Sequence, residues 1–265
     1  MSSEIPEYGL IFSDDDTSPE KALNIAKRIS PYMDAIKLNL TNTAIDFQLV
    51  SRVKETTDKP VIVDLKVADI GFWNGKTTSW EGTDAQIIKT FVNAGADYVT
   101  CHTFPGTSSI QECVEVAHSI GGRILTLPYM SGRGGELFFG QPIHLGYTNR
   151  ILRELDIPFD TGRLYTISDL ILTLGEYFEV DGYIGPANNL QVLTRYRALT
   201  QRPIYGPGIG RQATGDLPLR EQLEQFYRIC GRRSAAIIGS AIYNVPDPVK
   251  AAEEFRIWRD DIVRF

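Results

Sequence analysis

The chain has 265 residues, of which 43% are hydrophobic and 23% charged, and a formal net charge of −6. That length and apolar content suit a globular protein with a sizeable core, while the acidic balance argues against nucleic acid or an anionic membrane as the main partner. No apolar run approaches the roughly 18 residues of a membrane span, residues 1–7 lack the basic and apolar regions of a signal peptide, and Cys101, Cys113 and Cys230 are odd in number without CxxC spacing, so a cytoplasmic protein with neither a disulfide frame nor a zinc site is expected.

Strand-like apolar runs alternate with amphipathic stretches of helical period along nearly the whole chain. The first strand is predicted at Tyr8–Ser13 and runs into Asp14-Asp15-Asp16, before a helix over Ser18–Ile29. One of those three aspartates could serve as a helix N-cap ahead of Pro19. The second strand is Ala35–Asn39, and the third, Pro60–Val67, is β-branched enough to be a buried strand. A helix over Thr83–Ala94, a strand at Tyr98–His102, a helix over Ser108–Ile120 and a strand at Arg123–Tyr129 follow. The remaining units are a strand at Gly182–Pro186, a helix over Asn188–Leu199, a strand at Pro203–Gly208, a helix over Leu217–Ile229, a strand at Ala235–Ser240 and a closing helix over Pro246–Phe265, with proline near its first turn.

Eight βα units predict an α/β protein, a (β/α)8 TIM barrel in a single domain over residues 1–265. A doubly wound open sheet is the alternative, because periodicity does not report closure. Two stretches are long for barrel connections, near 71–82 and 132–181. Loops after barrel strands build active sites, which makes both candidate lids or partner contacts; a tolerated surface insertion is the plainer reading. The 71–82 loop is read as functional because a charged strand precedes it.

That charged strand reads Asp64-Leu65-Lys66-Val67-Ala68-Asp69. Residues two apart on a strand share a face, so Asp64 and Lys66 are expected side by side. Buried alternating charges are costly unless they support one another or a substrate. A structural salt bridge satisfies that condition, but Asp69, placed where strand gives way to loop, favours a catalytic site. Other strand ends are polar too: Lys37-Leu38-Asn39, Met130-Ser131-Gly132-Arg133 and Gly206-Pro207-Gly208-Ile209-Gly210-Arg211-Gln212. His102 is read as a hydrogen-bonded barrel-lining residue, since no histidine neighbour makes it a metal ligand. His118 and His144 suggest no metal triad. Trp73 and Trp80 either cover a ring-shaped ligand or pack the loop that carries them.

Taken in order, these motifs resemble the orotidine 5′-monophosphate decarboxylase family, in its archaeal-like branch. The resemblance runs from Leu10-Ile11-Phe12-Ser13-Asp14-Asp15 through Asp34-Ala35-Ile36-Lys37, Asp64 to Ile70, Ala94-Gly95-Ala96-Asp97, His102 to Gly106, Met130-Ser131 and Gly185-Pro186 to Pro207 to Gln212. DxKxxD alone also occurs in related sugar-phosphate lyases, but Lys37 stands where those usually carry a carboxylate. The resemblance implies a cofactor-free, metal-free decarboxylase acting on a nucleotide in pyrimidine synthesis, working as a homodimer with shared active sites. It implies Lys37, Asp64, Lys66 and Asp69 as a catalytic tetrad, with Asp69 and the residues after it reaching the partner's site. It implies substrate binding by Asp15 at the ribose, Ser131 at the pyrimidine edge and Gln212 toward the phosphate, with Ile70, Thr83 and Pro186 beside them; Arg211, Gly239 and Ser240 are this chain's own candidates to hold a phosphate.

Two positions depart from the family pattern. Ile238-Gly239-Ser240 places serine where the family usually has a phosphate-binding arginine, and Phe72-Trp73 replace a threonine for which Thr83 stands in. These departures leave a second reading open: a relative that uses the same tetrad on a modified or non-phosphorylated pyrimidine nucleoside or on a sugar acid. A nucleotide-binding sensor without activity is the non-enzymatic alternative.

Overall fold

The structure is a computed structural model that describes residues 4–15, 18–71, 81–132, 134–157, 165–210 and 217–264. Eight parallel strands close into a barrel in sequence order: β1 (Gly9–Asp14), β2 (Ala35–Asn39), β3 (Val61–Val67), β4 (Tyr98–Cys101), β5 (Arg123–Thr126), β6 (Gly182–Ile184), β7 (Ile204–Pro207) and β8 (Ser234–Ile238), with β1 paired to both β2 and β8. Closure decides against the open sheet. The helices are α1 (Pro19–Ile29), α2 (Leu40–Ile45), α3 (Leu49–Thr57), α4 (Thr83–Asn93), α5 (Thr107–Ser119), α6 (Gly135–Phe139), α7 (Leu145–Glu154), α8 (Ile167–Tyr177), α9 (Leu190–Leu199), α10 (Leu219–Cys230), α11 (Ser240–Tyr243) and α12 (Pro248–Val263). None of the described helices is long and apolar enough to cross a membrane.

The strand period of two sorts the side chains into two cores. Leu10, Phe12, Val61, Val63 and Val99 point outward into the layer shared with the helices. Ile11, Ala35, Ile62, Tyr98, Leu125, Tyr205 and Ala235 point inward and fill the barrel. Two residues further along, the inward positions on four consecutive strands turn polar: Ser13, Lys37, Asp64 and Thr100. The chemistry-bearing end of the molecule is therefore a continuation of the interior core, one layer higher.

Several predicted boundaries shift for local reasons. Strand β5 ends at Thr126 rather than Tyr129, because the chain turns off the barrel before Pro128. Strand β8 stops at Ile238, and Ser240 begins the short helix α11 instead of ending a strand. Helices α2 and α3, between β2 and β3, add to the helices predicted from sequence, and α3 buries Leu49, Val50 and Val53 on one face. The N-cap before Pro19 is Ser18, whose side chain accepts from the Lys21 amide, rather than Asp14 or Asp15; Asp16 lies outside the described residues. The stretch from 132 to 181 holds α6, α7 and α8, of which α7 packs Leu152 against Leu174 of α8 in a small core of its own. The interior of the 71–82 loop, with Trp73 and Trp80, falls outside the described residues.

Candidate active site

The inward polar layer is organised around one carboxylate. Asp64 Oδ2 accepts from Lys37 Nζ at 2.9 Å, and Asp64 Oδ1 accepts from Lys66 Nζ at 2.8 Å. Thr100 adds a third donor, its hydroxyl giving a 2.8 Å hydrogen bond to Asp64 Oδ1. Burial opposes ionisation of Asp64, but the two ammoniums outweigh it and hold the carboxyl well below the usual carboxylate range. The side chain of Lys37 is only 7% exposed, whereas that of Lys66 is 36% exposed. Lys37 is thus a buried support, and Lys66 presents its ammonium to the open mouth.

Lys66 reaches that position by an irregular route. The register of β3 against β4 shifts between Val63 and Val67, and Lys66 has φ 55°, in the left-handed region. Regular pleating predicts the same neighbours, so the sequence places Asp64 and Lys66 together correctly, but a bulge rather than a straight strand joins them.

A second chain of contacts links β2 to β1. Lys37 Nζ also donates to Asn39 Oδ1, and Asn39 Nδ2 donates to Asp15 Oδ1. Ser13 Oγ donates to the same Asp15 oxygen at 3.3 Å. Asn39 and Thr100 were not among the site residues predicted from sequence. Polar residues at inward strand positions above the apolar layer are the signal that marks them.

A cavity of about 570 Å³ opens over this network at the carboxyl ends of the strands. Of the predicted residues, Asp15, Lys37, Asp64, Lys66, Ser131, Pro186, Gly239 and Ser240 line it, together with Leu127, Tyr129, Ile209 and Ile237. Apolar walls facing one charged cluster suit a flat heterocycle with a polar substituent.

Asp69, Ile70 and Thr83 stand apart from that lining. Asp69 is exposed, and its carboxylate accepts from the Ile70 amide at 2.7 Å instead of meeting Lys66. The Asp69 amide in turn donates to Asp84 Oδ1 at 3.0 Å, so the first turn of α4 holds the end of the charged segment in place. Three members of the expected tetrad therefore meet, and the fourth is exposed apart from them. Arg211 and Gln212 lie outside the described residues.

His102 is 8% exposed at the end of β4. Burial, reinforced by the nearby Lys66 charge, lowers its pKa to about 4. Its Nδ1 has no hydrogen-bond partner among the described residues. His118 instead pairs with Asp181 at 3.0 Å, and His144 caps α7 by accepting from the Tyr147 amide.

Residues 9–255 match the model of the orotidine 5′-phosphate decarboxylase / HUMPS family. An orotidine 5′-phosphate decarboxylase of Methanosphaera stadtmanae is 27% identical over 248 residues, spanning 92% of this chain and 94% of that protein. The orotidine 5′-phosphate decarboxylase structure from Pyrococcus horikoshii superposes with a TM-score of 0.70 at 26% identity, covering 97% of this chain and all of that one. The orotidine 5′-monophosphate decarboxylase of Methanocaldococcus jannaschii, solved with the inhibitor BMP, shares the fold at a TM-score of 0.75 and 21% identity, with 97% of this chain and 100% of that one covered.

Proposed function

Because the chain belongs to the orotidine 5′-phosphate decarboxylase / HUMPS family, we propose that it decarboxylates orotidine 5′-phosphate to UMP, without a metal or organic cofactor, in pyrimidine nucleotide synthesis. Its curated relatives are decarboxylases, and the chain is a carbon–carbon lyase of that class. The observation that carries the substrate reading is the Asp64 carboxylate held between two ammoniums beneath a cavity with apolar walls.

Loss of CO₂ from C6 of the pyrimidine leaves an electron pair that the ring does not delocalise. An ammonium already fixed where that charge develops stabilises the transition state more than the ground state. One unit charge at about 4 Å and an effective dielectric of about 20 contributes roughly 4 kcal/mol. Enzymes supply about 8–23 kcal/mol in all, so positioning of the rest of the nucleotide and exclusion of water provide the larger part. In this reading Lys66 is the cation. As CO₂ departs, the bonding pair stays on C6 and takes a proton from the Lys66 ammonium, which solvent then restores. Asp64 aims Lys66 and crowds the leaving carboxylate, and Lys37 keeps Asp64 charged and oriented.

Asp15 is assigned to the ribose hydroxyls, Ser131 to the pyrimidine edge, and Pro186 to the wall between them. At the far end, Gly239, Ser240, Arg211 and Gln212 are assigned to the phosphate, with Arg211 supplying the cation that Ser240 does not. Asp69, Ile70 and Thr83 are assigned to the partner's site in a homodimer. Support for that assignment comes from the exposed apolar side chains Leu40, Ile45, Phe47, Ile70 and Phe104, which follow β2, β3 and β4 on the side of the barrel that carries Asp69.

The test is loss of orotate absorbance when the protein is mixed with orotidine 5′-phosphate, with unphosphorylated orotidine in parallel. Rapid turnover of the phosphorylated compound alone supports the reading. Turnover of orotidine alone moves the assignment to a non-phosphorylated substrate, and inertness toward both removes it.

A further inference from the structure

We propose that Thr100 is a positioning residue that holds Lys66 in its working geometry. The need for one arises in the backbone. The β3–β4 register breaks between Val63 and Val67, and Lys66 sits at φ 55°, a conformation that a residue bearing a Cβ rarely adopts unless its surroundings impose it. The Lys66 amide is then donated to a side chain rather than to the ladder: its acceptor is Thr100 Oγ1, at 2.9 Å.

The same hydroxyl donates to Asp64 Oδ1 at 2.8 Å, and that oxygen also takes Lys66 Nζ at 2.8 Å. A hydroxyl has one proton to give, and an ionised carboxylate only accepts. The direction of each bond is therefore fixed: amide to hydroxyl, hydroxyl to carboxylate, ammonium to carboxylate. Both the main chain and the side-chain tip of Lys66 are tied through one threonine and one aspartate oxygen. Thr100 is fully buried on β4, and its β-branched side chain has little rotamer freedom, so the ring of contacts is rigid. Thr100 does not line the cavity, and it acts on a substrate only through Lys66 and Asp64.

The kinetic consequence rests on the decarboxylase reading; the backbone consequence does not, and the experiment separates the two. Thr100→Val keeps the shape of the side chain and removes the hydroxyl, whereas Thr100→Ser keeps the hydroxyl. Hydrogen exchange at the Lys66 amide, followed by NMR, is expected to accelerate at least about tenfold in Thr100→Val while the amides of Ile36 and Val63 keep their wild-type rates. With orotidine 5′-phosphate, kcat is expected to fall at least about tenfold with KM changed less than about threefold, and Thr100→Ser to recover both measures. Thr100→Ala carries the same two expectations if the valine variant does not fold. A wild-type exchange rate at Lys66 in the hydroxyl-free variant overturns the proposal, and so does an equal loss of kcat in the valine and serine variants. If the wild-type protein does not act on orotidine 5′-phosphate, the decarboxylase reading falls and the exchange measurement alone decides the role of Thr100.

Discussion

Single residues in this molecule are set by which neighbours they face. Asp64 has three donors and stays charged despite its burial; His102, close by, has none at Nδ1 and stays neutral. The histidine has a consequence that stability measurements can read. Its folded pKa of about 4 lies below the ordinary histidine value of 6.5, so the unfolded chain binds the proton more readily. The neutral ring's contribution is fully present above about pH 6.5 and is lost progressively as pH falls toward about 4, by about 3 kcal/mol in total. Replacing it by a group that does not titrate, His102→Gln, is expected to flatten the urea-unfolding free energy across that window relative to wild type. An unchanged slope in the variant would show that other groups account for the acid sensitivity.

Elements are locked at the opposite end of the barrel by a repeated device. Asp34, Asp97 and Asp181 each precede an even-numbered strand, and each carboxylate accepts from the amide at the start of the odd-numbered strand beside it: Leu10 at 2.8 Å, Val61 at 2.7 Å and Ile124 at 2.7 Å. Their own amides donate back to the carbonyls of the same three residues. Asp97 also pairs with Lys54, and Asp34 with Arg256 and Arg259. Removing the carboxylate in Asp97→Ala leaves a buried amide without its side-chain acceptor and a lysine without its partner, and is expected to cost about 2–3 kcal/mol in chemical denaturation with kcat unchanged. Loss of turnover at full stability would contradict this division of stability to one end and chemistry to the other.

The same elements show what the sequence reveals and what it hides. Strand cores such as Val61-Ile62-Val63 and Ala35-Ile36 were legible because an inward and an outward neighbour are both apolar. The bulge at Lys66 was not, since a backbone irregularity leaves the period of side-chain types untouched. Thr100 and Asn39 were hidden for a related reason: a threonine or asparagine in or beside a strand is unremarkable until its partner on the next strand is known. Asp64, Lys66 and Lys37 were legible because charge in a buried strand has few explanations.

For the molecule as a whole, the member of the expected tetrad that stands apart is Asp69, whose carboxylate accepts from the amide of the exposed Ile70. A homodimer in which each Asp69 enters the other subunit's site accounts for that orientation. Mixing inactive Lys66→Ala with inactive Asp69→Ala subunits is then expected to restore activity, because one site of each heterodimer regains both residues. No recovery after verified subunit exchange would place Asp69 in its own subunit's site or outside the chemistry.

Lys66 is the group on which the proposed chemistry depends, and a single-turnover comparison addresses it directly. Wild-type protein and Lys66→Ala are each mixed in excess with orotidine 5′-phosphate, CO₂ and UMP are quantified over time, and binding of UMP is measured on the same preparations. Wild type is expected to give one CO₂ and one UMP per substrate, and Lys66→Ala a rate at least about a thousandfold lower with UMP affinity changed less than about tenfold, because the ammonium acts on charge present mainly in the transition state. A wild-type protein that releases no CO₂, or a Lys66→Ala variant that keeps more than a few per cent of the rate, would contradict that chemistry.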